Sequence, residues 1–240
     1  MKKIFTIITL AMVMCMASFA FAATSIEDTI AKGVKAHQTT IDVSSCNATP
    51  QEVMATFTTM FNTNPAMSAL DGTIKCAYSG QKTTSITVGY VNTATDIANA
   101  DKVMTTIVNG AKAKTTSIEK AKYVHDYLIS NSAYDYELKS STIYDLLMNK
   151  KGTCRAYSLA FKDAMDKLGI ECVVVVQDDK LHSWNQVKID GKWYNVDVTW
   201  DSNNSINGTP DATLFMKSDS LYKVTGHKTW KSANTCAVDL

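Results

Sequence analysis

Three residue types that together do nucleophilic chemistry stand in order along the chain: Cys154, His182 and Asp197. Cys154 lies in Gly152-Thr153-Cys154-Arg155-Ala156-Tyr157. There a glycine breaks one helical pattern and the cysteine opens the next, over about Cys154 to Leu168 with a stop at Gly169. A cysteine in the first turn of a helix sits at the positive end of the helix dipole. Unpaired N–H groups there favour the thiolate and can hold an oxyanion as it forms on an attacked carbonyl. Downstream, His182-Ser183-Trp184-Asn185 supplies an imidazole and Trp193-Tyr194-Asn195-Val196-Asp197 a carboxylate. The set suits acyl transfer: Cys154 attacks an amide or ester carbonyl, His182 moves the proton, and Asp197 orients the imidazole. Water or an amine would then attack the thioester. Tyr134 is a candidate second oxyanion donor, weighed against a packing role. Asn185 and Asn195 are the next candidates to orient His182 if Asp197 does not. Singly, such residues are most often structural or incidental; their order and setting carry the reading.

The elements that must position them are legible in part. Asp190-Gly191 between two alternating runs predicts a hairpin of strands His182–Ile189 and Lys192–Trp200. With a two-residue turn, Ile189 faces Lys192, His182 faces Thr199 and Trp184 faces Asp197. His182 and Asp197 then become diagonal neighbours on one sheet face, roughly 7–8 Å apart at the backbone. Ile170 to Gln177 is a β-branched run read as a buried strand, and Thr213 to Met216 could add another. Upstream, Thr49-Pro50-Gln51-Glu52 and Thr116 with Glu119 are capping boxes opening helices. Ala94 to Ala113 reads as a helix, and Ser141 or Thr142 caps a short one through Asn149. Thr40 to Ser44, Thr73 to Tyr78 and Thr84 to Val91 read as strands after a weak helix at Ser25 to His37. His125 falls on the apolar face of its helix, so a buried, hydrogen-bonded core histidine is the expectation. The tail with His227, Trp230 and Cys236 shows no clear pattern.

At 240 residues the chain can bury a substantial core. Met1-Lys2-Lys3, an apolar run from about Ile4 to Phe19 and Ala20-Phe21-Ala22 read as a secretory signal cut after Ala22. Cys15 in that run raises a lipoprotein signal as rival, but Met14 before it fits such a site poorly; a retained anchor helix is the plainer alternative. Cleavage would leave 22 basic against 23 acidic residues, with no electrostatic footprint for nucleic acid or anionic membrane. The expected location is secreted, periplasmic or cell-surface, without stable membrane insertion once the signal is gone. Five cysteines would remain, an odd number for an oxidising compartment, with Cys154 the natural free thiol. The other four allow three pairings, of which Cys46–Cys76 and Cys172–Cys236 are favoured over free buried thiols. No zinc-ligand spacing or calcium-type carboxylate cluster occurs, so no metal or other cofactor is expected.

Gly152-x-Cys154, His182-x-Trp184-Asn185 and Lys192-Trp193-Tyr194-x-Val196-Asp197-x-Thr199-Trp200-Asp201 resemble the transglutaminase-like superfamily, secreted bacterial members most of all. The resemblance covers about Lys120 to Asp201, and Tyr134-Asp135 also looks like a family feature. Val198 stands where many members have proline. The resemblance implies an α+β, papain-like core in which a cysteine-bearing helix packs on an antiparallel sheet carrying His and Asp. Cys154, His182 and Asp197 would be the triad; Tyr134, Trp184 and Trp200 are candidates for substrate or oxyanion contacts. The expected organisation is a signal at 1–22, a small α+β segment at 23–115 and the catalytic domain at 116–240. The implied substrate is a peptide or protein amide, including cell-wall peptide if the source is bacterial, with hydrolysis or transfer as the outcome. Two other classes compete: a catalytically silent binding or structural module at the cell surface, and an inhibitor or adhesin acting through the N-terminal unit.

Overall fold

A computed structural model describes residues 25–205 and 209–240. The expected signal segment, Cys15 included, lies outside the described residues. Among those described, no helix is long and apolar enough to cross a membrane.

The N-terminal unit comprises α1 (Ile26–Lys35), β1 (Thr40–Asp42), α2 (Pro50–Thr63), β2 (Leu70–Ser79) and β3 (Lys82–Tyr90). Its sheet is antiparallel in the order β1-β3-β2. The capping box at Thr49 forms as expected: Glu52 N–H donates to Thr49 Oγ1 at 3.3 Å, and Thr49 N–H to the Glu52 carboxylate at 2.8 Å. Ile30, Val53, Phe57, Met67 and Ile86 fill a core between helices and sheet.

The larger layer follows as α3 (Ala94–Lys112), α4 (Ser117–Asn131), β4 (Ala133–Tyr134), α5 (Ile143–Met148), β5 (Lys151–Gly152) and α6 (Cys154–Leu168). Then come β6 (Cys172–Val176), β7 (Ser183–Ile189), β8 (Lys192–Val196), α7 (Val198–Asn204), β9 (Phe215–Lys217) and α8 (Asp219–Thr225). Helix α6 ends where its sequence says: Gly169 adopts φ +71°, and Ile170 N–H reaches back to Met165 O at 2.9 Å. The sheet runs β6-β7-β8-β9, all antiparallel. Its hairpin has the expected register, with Ile189 opposite Lys192 and Asn185 opposite Val196. Asp190 and Gly191 take φ values of +49° and +79°, the positive pair that a two-residue hairpin turn requires.

One sheet face packs Val187, Tyr194 and Val196 against α6, through Phe161 and Met165, with α3 and α4 behind. The other face buries Val175 and Trp184 against Leu214 and Tyr222 from the C-terminal segment. Two layers around each sheet face leave the N-terminus of α6 and the adjoining ends of β7 and β8 at one edge, where the cysteine, histidine and aspartate converge.

Two expectations are corrected. The second hairpin strand stops at Val196, not Trp200, because Asp197 caps a helix: its carboxylate accepts the N–H groups of Thr199 and Trp200. Nor do the expected disulfides form; Cys46, Cys76, Cys154, Cys172 and Cys236 are all free thiols. For Cys172 and Cys236 the obstacle is the sheet itself. Asn185 donates to Cys172 Sγ at 3.6 Å, whereas Cys236 sits against Gln186. Neighbours on one strand point to opposite faces, so the sheet separates the two sulfurs. Burial pushes the Cys172 thiol up to about 12, as befits an inert core group. In the N-terminal unit, Cys46 donates to Thr29 Oγ1 at 3.4 Å, and Cys76 stands on β2 opposite Ile86.

Candidate active site

Helix α6 is set apart by what its N-terminus lacks. Among the described residues, the other seven α-helices each have an N-cap side chain that accepts a backbone N–H of the first turn. At α6 the N-cap residue Thr153 makes no such bond. The first-turn N–H groups that begin at Cys154 are therefore not taken up by an N-cap side chain, which suits them to an anion. The approach is set by Gly152 on β5, which pairs with Tyr134 of β4. A Cβ on Gly152 would come within 2.5 Å of Leu146 Cδ1 and 3.0 Å of Ala156 Cβ, so the strand lies too close to α5 and α6 for a side chain.

The next residue anchors this turn to the N-terminal unit. Arg155 is partly buried and, among the described residues, has no carboxylate partner. Its Nε and Nη2 donate to Phe61 O at 3.1 and 2.9 Å, Nη2 to Met67 O at 3.1 Å, and Nη1 to Ser141 O at 2.7 Å. The guanidinium also lies 4.0 Å over the Phe61 ring. Burial draws its pKa down to about 10, still charged at neutral pH.

His182 and Asp197 meet as the hairpin register requires. His182 Nε2 donates to Asp197 Oδ2 at 2.6 Å, which leaves Nδ1 for the thiol. Asp197 is fully buried and accepts four hydrogen bonds. Oδ1 takes the N–H groups of Thr199 and Trp200, both at 3.0 Å. Oδ2 takes His182 and also His227 Nε2, at 2.9 Å. Burial would raise the Asp197 pKa, but the two imidazoles outweigh it and hold the carboxyl below the usual range. Burial likewise opposes charge on His182, yet the Asp197 carboxylate and the Cys154 sulfur push its pKa up to about 10. Cys154 shows the converse: burial raises its pKa, while His182 and then the Ser183 hydroxyl and N–H bring it below that of a free thiol. Ser183 Oγ lies 3.1 Å from Ser158 Oγ, one turn along α6 from the cysteine.

The structure thus gathers Cys154, His182 and Asp197, with Tyr134 beside them. Burial raises the Tyr134 pKa and negative charge at Cys154 adds to it, which places the phenol near the sulfur. Its ring meets the exposed Tyr136 edge-on at 5.1 Å. The loop beyond is pinned by Asp135, whose carboxylate accepts the N–H groups of Glu137, Lys139 and Ser140 and is held at about 2 against the effect of its burial. Trp200 is partly exposed, 5.3 Å from the His182 ring. Trp184 is only 1% exposed; it stacks 5.9 Å beneath His182 and donates Nε1–H to Asn195 Oδ1 at 3.0 Å. Asn185 and Asn195 bond elsewhere, to Ser158 O at 3.0 Å and to Asp219 Oδ1 at 2.8 Å. His125 is the core histidine its sequence suggests, held between Asp126 at 2.9 Å and Asp201 at 3.0 Å.

His227 and Ser183 went unassigned in the sequence. Ser183 is next to His182, and its place at the first position of β7 is the signal that could have found it. His227 has no such signal, being 30 residues from the aspartate it bonds. Among the described residues, His182, Asp197 and His227 are the one group whose ligand atoms cluster, within 4.8 Å, as a metal site would require. Their N–O separations of 2.6 and 2.9 Å are those of charge-assisted hydrogen bonds.

The family model of the transglutaminase-like superfamily matches residues 102–198, from within α3 to the start of α7. Over that segment the chain is similar to the transglutaminase-like superfamily, and the fold around it is α+β. Similar solved structures include a TGase, at 17% identity and TM-score 0.40, covering 59% of this chain and 46% of that one. A candidate cysteine protease from Cytophaga hutchinsonii shares 13% identity at TM-score 0.36, over 53% of this chain and 61% of that one. The periplasmic domain of TgpA from Pseudomonas aeruginosa, bound to ethylmercury, shares 14% at TM-score 0.35, over 50% and 57%. Each match thus spans less than two thirds of the compared chain. No curated protein matches the sequence.

Proposed function

We propose that this protein is an exported thiol acyl-transfer enzyme acting on peptide or protein amides through Cys154, His182 and Asp197, and that residues 116–240 carry the chemistry. The reading rests on one observation: the helix left uncapped is the one that begins with a cysteine, whose sulfur faces a histidine held by a buried carboxylate. The Cys154 thiolate attacks the amide carbon, and the oxyanion collects against the open first turn of α6. Tyr134 is a second donor. As the C–N bond breaks, His182 gives its proton to the departing amine, leaving a thioester. Water or an amine then attacks the thioester carbon, His182 takes the proton, and the thiolate leaves. Trp184 is a supporting plate under His182, while partly exposed Trp200 and exposed Tyr136 are placed to meet substrate.

The test is incubation of the purified mature chain with a peptide library and a primary amine donor, read by mass spectrometry. Hydrolysed products indicate water as acceptor; amine adducts indicate transfer. Cys154→Ala should abolish both while the melting temperature stays near the parent's, since the thiol is a reacting group and not a core filler. Undiminished turnover in that variant would sink the assignment. Absence of turnover in the parent, together with Cys154 alkylation no faster than a model thiol, would leave the silent-module alternative standing.

A further inference from the structure

His227 lies beyond the residues matched by the family model, in a segment zipped to the end of β6. Asp178 N–H donates to Thr229 O at 2.9 Å, Lys228 N–H to Gln177 Oε1 at 3.0 Å, and Gln177 bridges to Trp230. Gly226, at φ +107°, turns the chain out of α8 into this segment, and His227 N–H returns to Tyr222 O at 3.1 Å. The side chain is fully buried, its ring 4.1 Å from Trp200, 4.2 Å from Tyr222 and edge-on to Trp184 at 5.0 Å. Such a cage fixes the ring plane, so the direction of Nε2 towards Asp197 is built in. An ionised carboxylate can only accept, so both imidazoles on Oδ2 must present N–H.

We propose that His227 is a positioning residue for the Cys154–His182–Asp197 set, donating the second hydrogen bond to Asp197 Oδ2 and so limiting the charge that oxygen offers to His182. This rests on the thiol-enzyme reading above. Thr199 and Trp200 hold Oδ1; His227 completes the set by fixing Oδ2, leaving His182 one direction in which to donate. It also divides the carboxylate's charge between two donors. With His227 absent, His182 would face an undivided acceptor and keep its proton to higher pH, a poorer state for accepting the proton of an attacking water or amine.

Two measurements test this without a known substrate. The first is the imidazole nitrogen spectrum of the ¹⁵N-labelled parent at neutral pH, in which His227 should carry hydrogen on Nε2. A His227 ring with bare Nε2 overturns the proposal with no variant needed. The second is the pH dependence of Cys154 alkylation by iodoacetamide, followed by mass spectrometry. The groups facing His182 are Cys154, Asp197 and His227, with Tyr134 beside the sulfur and Asp201 a turn along α7. The high-pH limb reports loss of the His182 proton. His227→Leu should move it upward by about 0.5 to 1 pH unit, the effect of one hydrogen bond. His227→Gln, whose amide can still donate, should restore the parent's limb. Should His227→Leu fail to fold, His227→Asn, too short to reach Asp197, takes its place. An unmoved limb in a folded variant, or a Gln variant that behaves as Leu does, refutes the role. A parent whose Cys154 is no more reactive than a model thiol counts against the enzyme reading instead, and the tautomer still decides the His227 assignment.

Discussion

Replacing Asp197 by asparagine keeps the shape and removes the charge. In the parent, Oδ1 serves two backbone N–H groups and Oδ2 serves two imidazole N–H groups. An amide has one acceptor end and one donor end. With its oxygen on Thr199 and Trp200, its NH₂ meets the N–H groups of His182 and His227 head on. With its oxygen on the imidazoles, it meets the backbone N–H groups the same way. Either orientation leaves buried donors opposed, at roughly 1–3 kcal/mol of stability, or about 2–4 °C of melting temperature per kcal/mol for a chain of this size. The effect on rate comes from His182. Asp197 and Cys154 together raise its pKa from 6.5 to about 10. Without the carboxylate charge His182 holds its proton less firmly, so the thiolate–imidazolium pair is less populated and the rate falls. The change of imidazole tautomer adds to this, bringing the expected loss of kcat/KM to about 10²–10³-fold. That is less than the ~10⁴-fold of a serine triad, because a thiolate depends less on its base. The assay is turnover of whichever peptide the library identifies, with the melting temperature recorded in parallel. A kcat/KM within about twofold of the parent, an effect below ~0.5 kcal/mol, would refute the orienting role of Asp197.

Arg155→Met should remove the guanidinium hydrogen bonds to the carbonyls of Phe61, Met67 and Ser141 and destabilise the protein by about 2–4 kcal/mol, read by urea unfolding; a change under about 1 kcal/mol would mean that this contact does not hold the N-terminal unit to α6. His125 lies between two carboxylates that outweigh its burial and raise its pKa above 6.5. Its contribution is therefore complete below pH 6.5 and is lost as pH rises through the folded value. Parent stability should fall as pH rises above about 6.5 by more than that of His125→Gln, and parallel profiles would contradict the ion pair with Asp201.

Where local chemistry decides the backbone, the sequence was legible. Thr49 with Glu52 and Thr116 with Glu119 cap the helices they announce, Gly169 ends α6, and Asp190-Gly191 sets a register that holds along the ladder. Alternation carries less information at a strand end. Val196 to Trp200 continues the alternating pattern, yet Asp197 turns the chain into α7, because its carboxylate accepts two backbone N–H groups of the turn that follows it. A side chain that can cap competes with the strand at its own position, and periodicity does not register the competition. Cysteine arithmetic failed for a different reason. Parity counts thiols but cannot see that a sheet stands between Cys172 and Cys236.

The same limit explains what was readable of the site. Cys154 and His182 are tied to local features, a helix start and a hairpin end, so their placement could be read from residue types and spacing. Asp197 was found through a strand register that stops one residue before it, and the meeting survives because α7 turns the carboxylate towards His182 instead of away. His227 belongs to no motif. Its position depends on α8 ending at Gly226 and on Lys228 to Trp230 lying along the end of β6, contacts between segments some 50 residues apart. Spacing rules operate within a helix turn or across a hairpin, and nothing in them relates residue 177 to residue 228. The second donor to Asp197 is thus a product of tertiary structure alone. For that reason the charge on the Asp197 carboxylate must be worked out from packing, and the motif that contains Asp197 leaves that charge open.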